Sequence, residues 1–205
     1  MSTNIVVCKY QKDCSFAYKI NNNENINVII YDKENPEDIP VNKGLEHHVY
    51  LKYMIDYYDT LSDFTFFIHD NEYAWHHTGS LVDRYQDAVK SNKKYYNVNN
   101  TYVQSFNDVL IECQQRGWKE DLITWYKQFI ESFVPLKKLN IHQKNRQAGQ
   151  FLVHKSLIRK IPKQTYEDLY NWVILTDYED AKSSRFLEWT WHILFETYEP
   201  ATNPQ

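Results

Sequence analysis

Short β-branched and aromatic runs alternate with turn-rich and helix-periodic stretches in the first seventy residues, and this alternation limits the possible folds most sharply. Asn4–Tyr10 (NIVVCKY), Ile26–Tyr31 (INVIIY) and Phe64–Ile68 (FTFFI) read as buried strands. Asp32–Asn42, with Pro36, Pro40 and several acids, reads as a loop. After it, Leu45, Val49, Tyr50, Tyr53, Met54 and Tyr57 recur at helical spacing and predict a helix over Gly44–Tyr58. A strand, a helix and a strand in succession imply parallel pairing through a right-handed crossover. The expected fold class is therefore α/β: an open, mostly parallel mixed sheet with helices on both faces.

Further along, the pattern predicts helices over Leu81–Asn92, Asp121–Phe133, Ser156–Arg159, Lys163–Leu175 and Ser184–Phe195, and a short strand at Gln150–Val153. Tyr95–Asn107 reads as a polar loop or edge strand, and Lys137–Arg146 as a basic loop without an acid. A chain of 205 residues suits one domain, expected over 1–198, with a polar linker or tail over 199–205. A net charge of -4 argues against general nucleic-acid binding, which needs a dominant basic surface. No apolar run is long enough to span a membrane, and the first residues carry no signal-peptide pattern. Three cysteines at unpatterned spacing suggest reduced thiols and a cytoplasmic setting.

Ligands of open α/β sheets bind outside the carboxyl ends of the strands, and three such ends are polar here. Lys9-Tyr10-Gln11-Lys12-Asp13 follows the first strand, Asp32-Lys33 the second and Asp70-Asn71-Glu72 the third. Asp70 and Glu72, one residue apart, offer hard oxygen ligands suited to Mn²⁺ or Mg²⁺, though such pairs are commonly just solvated turns. Trp75-His76-His77 reads as an acceptor contact, as aromatic packing in a surface loop, or as imidazole metal ligation, though adjacent His side chains seldom both face one ion. Glu188 and His192, four apart in the last predicted helix, would share a face as general base and metal ligand; a polar pair facing water is the alternative.

Asn42-Lys43-Gly44-Leu45-Glu46 resembles the N-x-G-x-E signature of a family found in fungi, bacteria, algae and large DNA viruses. Phe64–His77, Ala148–Val153 and Phe186–Phe195, the last with its L-E-x-x-W-H pattern, resemble further segments of that family in the same order. Its members are similar to GT-A glycosyltransferases, including small viral domains that decorate capsid glycans. The resemblance implies a GT-A-like (Rossmann-like) sheet in which Tyr10, Asp32, Asn42 and Gly44 hold the nucleotide. Asp70 and Glu72 would bind the metal, with His192 as third ligand. Asp-Asn-Glu stands here for the commoner Asp-x-Asp, and Leu45 stands where relatives often carry Arg.

The expected activity is a metal-dependent, inverting sugar transfer from a UDP- or GDP-linked donor to a glycan or glycoprotein acceptor. The donor would meet Tyr10, Asp13, Asp32, Asn42, Gly44 and Asp70, and the acceptor Trp75, His76 and Gln150. Glu188 would be the general base. Two other readings use the same residues: a metal-dependent hydrolase or phosphotransferase, and a carbohydrate-binding module without catalysis.

Overall fold

The computed structural model describes residues 1–20 and 24–197; the expected tail at 199–205 lies outside the described residues. Five strands form one sheet in the order β2 (Ile26–Asp32), β1 (Thr3–Lys9), β3 (Phe64–His69), β7 (Phe151–His154), β4 (Tyr95–Asn97). β1 pairs in parallel with β2 and β3, whereas β7 is antiparallel to both β3 and β4. Only β7 therefore opposes the common direction, and the sheet is mixed and open. β5 (Gln104–Ser105) and β6 (Lys144–Asn145) form a separate antiparallel ribbon.

Strand alternation divides the apolar side chains between two cores. Ile5, Val7, Phe66, Ile68 and Leu152 face one layer, where they meet α1 (Phe16–Ile20) and α3 (Leu81–Lys90). Val6, Cys8, Phe67, Phe151 and Val153 face a larger and more aromatic layer. That layer contains α2 (His47–Asp56), α4 (Phe106–Arg116), α5 (Lys119–Phe129), α7 (Lys163–Leu175) and α8 (Asp180–Glu188). Lys155–Ile158 forms the short α6. Helices thus cover both faces, which is why the central strands are apolar on both sides rather than alternating. The free thiols of Cys8, Cys14 and Cys113 are all buried. Among the described residues, no helix is long and apolar enough to cross a membrane.

The last helix departs from expectation. Helix α8 ends at Glu188, and a π-helical turn follows over Ile193–Thr197. Thr190 donates its hydroxyl back to the carbonyl of Phe186 at 2.7 Å, a contact that competes with the helical ladder and bends it. The uninterrupted helix expected over Ser184–Phe195, and the face it would give to Glu188 and His192, are therefore not formed.

Candidate functional site

The carboxyl ends of β1, β2, β3 and β4, the start of β7 and the first turn of α2 all lie along one edge of the sheet. The loop entering α2 is held in an uncommon backbone conformation. Gly44 and Leu45 have φ of 71° and 49°, and a Cβ on Gly44 would lie 2.3 Å from Val173 Cγ1 of α7. Lys33 donates its ammonium to the Leu45 carbonyl at 2.8 Å, and His48 Nδ1 lies 3.0 Å from the same oxygen.

This loop delivers Glu46 to the head of α2 with its carboxylate unspent on capping. The indole of Trp191 donates to His47 Nδ1 at 3.0 Å, so the proton of that neutral imidazole resides on Nε2. Nε2 lies 3.7 Å from Glu46 Oε1. The space for this carboxylate comes from Gly149, where an added Cβ would stand 2.4 Å from Oε1.

Across from it, Glu188 lines a cleft of about 370 Å³ together with Trp75, Tyr102, Gln104, Glu112 and Arg185. Burial first, and then the negative charge of Glu46, push its carboxyl up to about 7, with Arg185 opposing and Glu112 adding a smaller push. Trp75 is 76% exposed and stacks on Tyr102 at 5.3 Å and 11° between planes. The Tyr102 hydroxyl in turn donates to the Gln147 carbonyl at 2.7 Å. An exposed indole held flat by a second ring is a rigid, flat apolar surface.

Of the three expected acceptor contacts, only Trp75 is exposed; His76 and Gln150 are buried beneath it. The His69 amide donates to Gln150 Oε1 at 3.3 Å, so the Gln150 amide nitrogen donates to His76 Nε2 at 3.1 Å. Burial pushes His76 down to about 4, and the ring is neutral with its proton on Nδ1. These two side chains shape the floor of the site and are occupied with each other.

Several of the expected donor contacts converge. The Tyr10 amide donates to Asp70 Oδ2 at 2.6 Å, and the Lys33 ammonium sits 5.6 Å from the Tyr10 ring centre. With the Lys33–Leu45 bond, these contacts join the ends of β1, β2 and β3 to the Gly44 loop. Asn42 is exposed beside them. Asp32 is paired with Lys9 and accepts from the Glu34 amide, while Asp13 is occupied locally by the Ser15 amide and hydroxyl.

The expected metal set is not assembled as three ligands. Among the described residues, no group of three or more His, Cys, Asp or Glu side chains is placed to hold a metal ion. His192 is buried behind the helix break, and burial pushes its ring down to about 4. Asp70 and Glu72 are half-buried in the turn after β3, with Asp70 Oδ2 already accepting from Tyr10 and Lys12 amides. As hard oxygen donors, these two suit a cation that takes one or two carboxylates and completes its shell with phosphate and water.

Sequence reasoning missed Glu46, although the signature containing it was in view; nothing local marks it as anything but a helix-start acid. Tyr102 and Glu112 were missed because only the fold brings them to Glu188, whereas Arg185, three residues before it on α8, was marked by helical spacing. These features define a mixed α/β protein with a carboxylate-bearing aromatic cleft at the strand-end edge. The chain belongs to the family described as "Protein of unknown function (DUF3431)", which matches residues 5–205. No curated protein and no solved structure matches it.

Proposed function

We propose that the protein is a GT-A-like glycosyltransferase whose acceptor sits in the Trp75–Glu188 cleft and whose nucleoside-diphosphate-sugar donor lies along Tyr10, Lys33, Gly44 and Asp70. One observation carries this reading: a carboxylate tuned to about 7 lines a cleft whose wall is an exposed, stacked aromatic platform. A base with that affinity is half-ionised at neutral pH and can accept a hydroxyl proton during bond formation. In the reaction, an acceptor hydroxyl passes its proton to Glu188 as its oxygen attacks the anomeric carbon. The bond from that carbon to the phosphate oxygen breaks, and the nucleoside diphosphate leaves with the bonding electrons. Asp70 and Glu72 are the residues that would hold Mn²⁺ or Mg²⁺, whose chemistry is to neutralise charge on the diphosphate. Tyr10 offers the base a ring to stack on, and Glu46 keeps Glu188 from ionising too early.

The test is transfer from a panel of radiolabelled UDP- and GDP-sugars. Turnover should rise through about pH 7 as Glu188 ionises, and Glu188→Gln should lower it by roughly two to four orders of magnitude, the usual worth of a general base. Unchanged turnover in that variant removes Glu188 from the chemistry. The exposed Trp75–Tyr102 stack also favours a second reading, glycan binding without catalysis. On that reading wild type and Glu188→Gln bind glycans alike, and no donor is consumed.

A further inference from the structure

A second concavity, of about 360 Å³, lies along the outer edge of β4. Lys93, Lys144 and Arg146 line it against a single acid, Glu196. Among the described residues none of the three cations enters an ion pair. Three positive charges against one carboxylate in the same lining leave the hollow net positive on a chain of net charge -4, and they focus a local positive field there.

This hollow is separated from the cleft by the thickness of one extended segment. Tyr102 and Gln104 line the cleft, whereas Val103 between them lines the basic hollow. That is the side-chain alternation of an extended chain. Gln104 is paired with Asn145 of β6, whose neighbours Lys144 and Arg146 supply two of the cations. The β5–β6 ribbon is thus a shared wall, with an aromatic, carboxylate-bearing surface on one side and a basic one on the other.

We infer that the acceptor is an acidic glycan: a hydroxylated unit lies on Trp75 in the cleft, while a carboxylate- or sulfate-bearing unit further along the same chain is held by Lys93, Lys144 and Arg146. The inference names the acceptor class of the proposed reaction and rests on that reading for the role of the cleft. Arg146 can grip a carboxylate or sulfate with paired N–H donors, and the lysines act as point charges. The opposite character of the two sides argues against a uniformly charged polyphosphate chain. Its backbone would meet Glu112 and Glu188 in the cleft, while a glycan with neutral and acidic units matches both surfaces.

Direct binding by calorimetry tests this without needing turnover. The probes are an oligogalacturonate, its fully methyl-esterified neutral form, a sulfated oligosaccharide and a single-stranded oligonucleotide. The carboxylated or the sulfated probe should bind at least about tenfold more tightly than the neutral ester, since each charged hydrogen bond contributes on that scale. That preference should shrink as salt screens the charges. Lys144→Ala with Arg146→Ala, and independently Lys93→Ala, should remove most of it. Equal binding of charged and neutral forms, tighter binding of the oligonucleotide, or acid preference surviving both sets of substitutions would overturn the inference. Acid-selective binding with no donor consumed by the wild type would instead sink the transfer reaction and leave this surface standing.

Discussion

Glu46 shows how much a single side chain in this site depends on its neighbours. Its carboxylate occupies space that exists because residue 149 has no side chain, and its charge raises the proton affinity of Glu188. Gly149→Ala would place a methyl 2.4 Å from Glu46 Oε1. The Glu46 carboxylate can swing away, but the same methyl would stand 3.1 Å from Cε1 of the buried His47 ring, so we expect a slightly lowered melting temperature and the proposed transfer reduced at least about tenfold, as for a slightly misplaced catalytic group. Glu46→Gln removes a negative neighbour, so Glu188 should ionise at lower pH and the rise of rate with pH should move in the acid direction. A pH–rate profile checks the sign; a profile that stays put would uncouple the two carboxylates. The polar strand ends were legible in the sequence because polar residues follow apolar runs at Tyr10, Asp32 and Asp70. The pairing of Glu46 with Glu188 was not, because it arises from the packing of α2 against α8, which periodicity cannot show.

Among elements, those with strong periodicity were read closely. Lys163–Leu175 forms as expected from its apolar spacing and from Pro162 at its start, and β1, β2 and β3 fall where the β-branched runs are. Helix α4 went unread because Phe106, Val109, Leu110, Ile111 and Cys113 do not mark one clean face, Ile111 being exposed. Its start nevertheless carries a local signal: Ser105 and Asp108 form a reciprocal capping box, with the Asp108 amide donating to the Ser105 hydroxyl at 3.1 Å. The same box, Ser80 with Asp83, opens α3. Ser105→Ala should destabilise the protein by about 1 kcal/mol, seen as a melting temperature lower by roughly 2–4 °C for a domain of this size. Helix α8 was over-extended in the sequence reading because apolar spacing continues through Trp191 and Phe195, while the break depends on the back-bonded hydroxyl of Thr190.

For the molecule as a whole, buried neutral imidazoles dominate the response to acid. Burial pushes His47 and His48 to about 3, and His76 and His192 to about 4. Between the ordinary histidine value and these lowered values the unfolded chain binds protons that the native one refuses, so stability is lost as pH falls through that window. Glu188 works the other way: the native state keeps its proton up to about 7, so its contribution weakens as pH rises from the usual carboxylate range. The histidines outnumber it, and near pH 5.5 unfolding should take up a net of about two to three protons. Denaturant titrations at closely spaced pH measure this as the slope of unfolding free energy; a flat slope would mean that the imidazoles are solvated. The parallel half of the sheet was legible in its alternating elements. The antiparallel entry of β7 was not, because a four-residue strand carries no mark of direction.

The bond from Trp191 to His47 spans 144 positions of sequence. It ties the head of α2 to the segment that follows α8, so the cleft joins stretches far apart in sequence. During synthesis, a growing chain can build the β1–β3 layer early, yet the cleft lacks its buried carboxylate until Glu188 has been added and packed. A nascent chain stopped before that point would carry a formed sheet edge with an open, incomplete wall.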